Sequence, residues 1–149
     1  MDPMRNQNND ALVISATLAN FLVKKVLVDS GSSADIIFYN AYVQLGINNA
    51  QFRKVNTPLI DFSDDMIEPL GEVMLPLSLG SIPKRYTKMV KFFMIKAPSA
   101  YNIILGRPSL NLFRAIASTF QMKLKFPTSA GVGEAVGDEL MARVCYVNT

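Results

Sequence analysis

The chain has 149 residues, half of them hydrophobic and 18% charged, which suits one compact core and not a disordered chain. The net charge of +3 comes from scattered lysines and arginines and makes no nucleic-acid signature. No histidine and a single cysteine, Cys145, exclude a disulfide framework, the usual zinc sites and Ser-His or Cys-His catalysis, which leaves Asp, Glu, Lys and Tyr for acid–base work.

No apolar run approaches the ~20 residues of a membrane-spanning helix. Residues 1–10, rich in asparagine, lack the apolar core of a signal peptide. A soluble, intracellular protein in a reducing compartment is expected, with no membrane contact and no nucleic-acid binding by this domain. The expected organisation is a flexible lead over 1–10, one domain over 11–127 and an extension over 128–149 that reads as a hairpin or linker.

In chain order, Ala11–Leu18 and Leu22–Val28 read as strands joined by a tight turn at Ala19-Asn20, with Lys24-Lys25 near the outer end of the second. The hairpin delivers Asp29 to the centre of a sheet. Ile36-Ile37-Phe38 is a short apolar strand, and Tyr39–Leu45 makes a helical turn or two stopped by Gly46. Residues 51–62 read as extended, Ser63-Asp64-Asp65 as a polar tip, and Ile67–Leu79 as one strand, because Val73, Leu75, Leu77 and Leu79 alternate with more polar residues. Residues 80–83 turn the chain. Tyr86–Ile95 is apolar on both faces and therefore internal. Ile103-Ile104-Leu105 is a buried strand ending at Gly106, and Pro108 favours a helix start that continues over Ser109–Ala115. Ile116–Phe120 and Met122–Phe126 are the last strands, with Pro127 ending the second. The glycines at 131, 133 and 137 lack dinucleotide-fingerprint spacing, so no cofactor is expected.

The stretch that bears chemistry is Val26-Leu27-Val28-Asp29-Ser30-Gly31-Ser32-Ser33. An acid at the end of a buried strand is expensive to hide, and is kept where it does chemistry or is well hydrogen-bonded. Asp-Ser/Thr-Gly arises by chance in roughly one chain in fifteen of this length, so the order of the other motifs matters. A phosphodegron, Asp-Ser-Gly-x-x-Ser, does not fit, because Ala34 stands where the second serine belongs.

The order hairpin, Asp29-Ser-Gly-Ser, long hairpin, Ile104-Leu105-Gly106-Arg107, short helix and closing strand resembles the retropepsins, the half-size aspartic proteases of retroviruses and retrotransposons. The phrases Val26–Ile36, Pro69-Leu-Gly71-Glu, Tyr101–Pro108 and the tail from Gly137 to Tyr146 resemble most the protease segment of plant Gypsy-type retrotransposon polyproteins. The resemblance spans about residues 10–147. It implies a mostly β half-barrel with a flap hairpin and one short helix, closed as a C2 homodimer. One Asp-Ser-Gly supplies half a site, and the symmetry mate of Asp29 would supply the rest.

The resemblance also implies roles. Asp29, Ser30 and Gly31 would be catalytic, with Ser30 bonding the partner's loop and Gly31 letting backbone approach the carboxyls. Ser32 would bond the outer oxygen of Asp29, and Ser32, Ser33, Ile60, Asp61, Phe62, Ser63 and Asp64 would contact substrate. Ile104, Leu105, Gly106 and Arg107 would support the catalytic loop from beneath. The family's arginine pairs with an acid shortly after the turn. Ser33 stands nearest that place here, and Asp35 lies two residues on. Residues 59–70 would be the flap, and there Asp61 and Asp64 replace the glycines of related elements.

The expected function is an aspartic endopeptidase acting on a retrotransposon polyprotein, in the cytoplasm or in retrotransposon particles, without metal or cofactor. An inactive retropepsin-like dimerisation or interaction module is the alternative, favoured by the altered flap. A small RNA-associated β domain is the weakest reading, since no basic-aromatic phrase is present.

Overall fold

The computed structural model describes residues 11–47, 51–54, 59–62 and 64–138. Ala19 and Asn20 take φ of 49° and 73°, the left-handed geometry of a two-residue hairpin turn. They join β1 (Leu12–Leu18) to β2 (Phe21–Val28). Lys24 and Lys25 sit in the middle of β2 rather than at its outer end. The register slips between Ile14 and Ala16 there, and Lys25 takes φ 58°, the signature of a bulge.

After the loop at 29–35 come β3 (Ile36–Phe38) and α1 (Tyr39–Leu45), which ends on Gly46 in the left-handed conformation. Next are β4 (Gln51–Arg53), the hairpin of β5 (Ile60–Phe62) and β6 (Asp65–Ile67), and then β7 (Gly71–Ser81). The expected single strand from Ile67 to Leu79 is therefore two. Pro69, which has no N–H for a ladder, lies in the break, and Leu70 N donates to Met94 O at 2.8 Å. β8 (Lys84–Ile95), β9 (Ile103–Leu105) and α2 (Arg107–Leu112) follow. Pro108 lies in the first turn of α2, which starts two residues earlier than expected and ends three earlier.

Strands β1, β2, β9, β3, β8 and β7 pair in that order, and β7 returns to β1 through Thr17↔Ser78 and Leu18↔Leu77. This closes a six-stranded barrel, and β4 takes the other end of that edge of β7. The alternation along β7 buries Val73, Leu75, Leu77 and Leu79 in the barrel with Leu12, Ile14, Phe92, Met94 and Phe113. β3 and β9 are apolar at every position because both of their faces are covered. Ile37, Ile103 and Leu105 face the barrel core, while Ile36, Phe38 and Ile104 join Ala34, Ile60 and Ile95 in a second apolar cluster.

β10 (Ile116–Ser118), β11 (Lys123–Thr128) and β12 (Gly131–Val136) form a separate three-stranded sheet. Its inner face, with Leu124, Phe126 and Ala135, closes one end of the core. Pro127 does not end the strand. Pairing with β10 stops at Ile116↔Lys125, while Pro127 pairs with Val132 of β12, so on the β10 side nothing asks for its missing N–H. No helix among the described residues is long and apolar enough to cross a membrane.

Candidate active site

β2 and β9 run parallel, with Val26↔Ile103, Leu27↔Ile104 and Val28↔Leu105 in register. Both strands therefore end at one edge, where Asp29 and Gly106 emerge side by side. β9 lies between β2 and β3, the two strands joined by the 29–35 loop, so it passes under that loop. Asp29 N donates to Leu105 O at 2.9 Å and Arg107 N to Ser32 O at 2.9 Å. Gly106 is buried, and a Cβ there would press on the carbonyl oxygens of Ala34 and Ser32. Glycine at 106 is what lets strand and loop lie in contact.

The loop turns tightly. Ser32 N donates to Asp29 O at 3.1 Å and Gly31 N to Asp29 Oδ1 at 2.9 Å. A Cβ at Gly31 would stand 3.2 Å from the same oxygen, crowding the carboxyl. Asp29 is half-buried, and Ser30 and Gly31 are exposed. The Ser32 hydroxyl donates to Ala34 O at 2.7 Å and accepts from Ala34 N at 3.3 Å. It braces its own turn, and does not bond the outer oxygen of Asp29 as expected, because the chain folds back within two residues.

Arg107 makes no ion pair with Asp35. Its Nη1 reaches the carbonyl oxygens of Ser30 and Gly31, each at 3.4 Å. Asp35, 3% exposed, accepts from Gly106 N at 2.8 Å and Ser109 N at 3.3 Å through one carboxyl oxygen. Burial pushes this carboxyl above its ordinary pKa, while Gly106 and Ser109 pull it partly back. The Ser109 hydroxyl, fully buried nearby, has no hydrogen bond of good geometry.

A cleft of about 510 Å³ opens over Asp29, lined among others by Ser33, Ile104, Arg107 and, from the hairpin above, Asp61 and Phe62. The hairpin pairs as Ile60↔Ile67, Asp61↔Met66 and Phe62↔Asp65. Residues alternate along β5, so Asp61 is exposed while Ile60, 7% exposed, turns into the second apolar cluster. Ile60 anchors the hairpin instead of facing the cleft, whereas Phe62 does both: it lines the cleft, and its ring lies 5.5 Å from that of Phe38. Asp64, at the exposed tip with φ 63°, does not line the cleft. Ser63 lies outside the described residues. Ser32 and Gly31 line the cleft floor, Ser30 does not, and Leu105 is buried in the barrel core.

Several lining residues escaped the sequence reading. Leu27 and Ile36 share the face of Ile104, which the strand alternation and pairing could have indicated. Pro98, Ser99 and Tyr101 form the far wall. In sequence they are only the break between two strands.

No family model matches this sequence, and no curated protein matches it. Among solved structures, the chain is similar to the crystal structure of the retroviral protease-like domain of Ddi1 from Leishmania major. The TM-score is 0.57 with 21% identity, over 83% of this chain and 92% of that one. At that identity the likeness speaks for architecture, and the architecture here, a closed mostly β barrel with a flap-like hairpin over an Asp-Ser-Gly loop, is retropepsin-like.

Proposed function

We propose that this chain is one half of an aspartic endopeptidase. The observation that carries the reading is Asp29, half-buried on a Ser-Gly turn at the floor of a 510 Å³ cleft that the β5–β6 hairpin overhangs. A C2 homodimer would bring two Asp29 carboxyls together. Like charges about 3 Å apart do not both ionise easily, so the pair holds one proton; the handling of that proton is general to the aspartic-protease dyad. The ionised carboxyl takes a proton from water as it attacks the peptide carbonyl. The protonated one donates to the carbonyl oxygen, and collapse of the tetrahedral intermediate passes a proton to the leaving nitrogen. Ser30 would bond the partner's loop and Gly31 would leave the carboxyls open to water.

The substrate class we propose is the polyprotein of a plant Gypsy-type retrotransposon, cut in the cytoplasm or in retrotransposon particles, without metal, cofactor, nucleic acid or membrane. The motif order Asp29-Ser-Gly, Pro69-Leu-Gly71 and Ile104-Leu-Gly106-Arg-Pro108 supports that origin. The test is cleavage of a long apolar peptide between pH 4 and 7, with and without pepstatin, a transition-state mimic. Asp29→Asn keeps size and polarity and removes the ionisable oxygen. It should leave fold and dimer intact and abolish cleavage. Equal activity of mutant and wild type would remove Asp29 from the mechanism.

One observation favours a second reading, a non-catalytic interaction module. Asp61 lines the cleft on a hairpin that also carries Asp64 and Asp65, placing negative charge near a pair that must hold a proton. A stable dimer without peptidase activity would select this reading.

A further inference from the structure

We infer that Asp35 is a positioning residue for Asp29: its buried carboxyl ties the far end of the 29–35 loop to the β9–α2 corner, and so sets the height at which the Asp29 carboxyl stands in the cleft. This rests on the peptidase reading for its effect on rate, though not for its effect on the loop.

The loop is suspended at both ends. At the near end Asp29 N donates to Leu105 O at 2.9 Å. At the far end Asp35 O accepts from Phe93 N at 2.9 Å, and the Asp35 carboxyl accepts from Gly106 N at 2.8 Å and Ser109 N at 3.3 Å. Between the ends, the corner reaches back through Arg107 N to Ser32 O and through the guanidinium to Ser30 O and Gly31 O. Those central bonds form only while the corner stays at one distance from the loop. Of the loop's own side chains, among the described residues, Asp35 is the one bonded to the corner; those of Asp29 and Ser32 bond within the loop.

The chemistry suits a carboxyl. Both groups that meet Asp35 Oδ1 are N–H donors, and an ionised carboxylate is acceptor-only. Truncating Asp35 leaves two N–H groups unpaired where burial makes that costly. The charged groups around it are engaged elsewhere. Lys91, which shares a small pocket with Asp35, pairs with Glu72 at 3.8 Å. The Arg107 guanidinium faces the two loop carbonyls, and Asp29 accepts from Gly31 N. Asp35 thus acts through hydrogen bonds and not as half of an ion pair.

A purely structural acid and a positioning acid behave differently when removed. The first loosens the whole barrel; the second loosens the loop and the corner. The experiment compares wild type, Asp35→Ala and Asp35→Asn, the last keeping an acceptor oxygen. It measures kcat and KM on an apolar peptide, and amide hydrogen exchange at Ser32 and Arg107 against the amides of β7 and β8. Asp35→Ala should lower kcat on the order of a hundredfold with little change in KM. Exchange at Ser32 and Arg107 should rise about tenfold or more while β7 and β8 stay protected. Asp35→Asn should restore most of both. An Asp35→Ala enzyme with wild-type kcat overturns the inference, and so does uniform acceleration of exchange across the barrel. If Asp35→Ala does not fold, Asp35→Ser, with a shorter acceptor, is read by the same criteria. If the wild type cuts no peptide, the peptidase reading fails, and the exchange measurement alone decides for or against the tie.

Discussion

At Gly106 a hydrogen in place of a methyl group holds the site together. A Cβ there would fall on the carbonyl oxygens of Ser32 and Ala34, both of them backbone, which cannot swing aside. Gly106→Ala should therefore cost about 2 kcal/mol or more in urea unfolding, and should lower cleavage further by displacing the loop. Asp35 stores a different cost. Burial raises its pKa in the folded chain, so the folded state holds the proton more tightly than the unfolded state. The stability this contributes is fully present below the unfolded value of about 4, and is lost as pH rises through the higher folded value. Asp35→Asn cannot ionise. The difference in urea midpoint between mutant and wild type should thus shift in the mutant's favour between pH 4 and 7. A difference constant across that range would show that the Asp35 carboxyl titrates alike in both states.

Among the described elements, the β5–β6 hairpin stands apart from the barrel's sheet. Its strands pair with each other, and it leans on the barrel through Ile60, Phe62 and Ile67. The Phe62–Phe38 ring contact at 5.5 Å, tilted by 58°, is in the range of favourable aromatic pairs. Phe62→Ala should free the hairpin and remove part of the cleft wall. We expect KM for an apolar peptide to rise several-fold, with the urea midpoint lowered only slightly, because the barrel core lies elsewhere. The tip residue Asp64 takes φ 63°, a conformation glycine adopts freely and aspartate tolerates. Asp64 thus holds a backbone conformation that favours glycine while carrying a charge.

At the scale of the whole molecule, one chain offers a single Asp29, so the proposed enzyme requires association. Activity per milligram should climb with protein concentration, as the site exists only in the dimer; sedimentation showing an active monomer would reject the half-site model. The β10–β12 sheet bears on where the copies meet. β11, which includes most of the Met122–Phe126 stretch, is the middle strand with both edges engaged. Among the described residues, the unpaired strand edges of this sheet are the outer ones of β10 and β12. Ile116, Phe120, Val132 and Val136 are all exposed on or beside this sheet. Ile116→Asp should weaken self-association in sedimentation and lower activity in proportion.

Much of this was legible in local pattern. The alternation Val73, Leu75, Leu77, Leu79 announced a strand with one buried face, and it is one. The unbroken apolar runs Ile36–Phe38 and Ile103–Leu105 announced strands covered on both sides. The absence of histidine narrowed the chemistry before any fold was known. The strand readings succeed because period is a property of neighbours along the chain. Contacts between distant segments decided the rest. Asp35 looks like any loop acid until Gly106 and Ser109, more than seventy residues away, present two amides and bury it. Ile60 counts as a cleft residue until the second apolar cluster draws it inward, and Pro98–Tyr101 counts as a break until the fold stands it opposite Asp29. Pro127 looks like a stop until β12 pairs alongside it. A side chain's neighbours, and with them its burial and its hydrogen bonds, are set by the meeting of remote strands, and no local window of sequence contains that meeting.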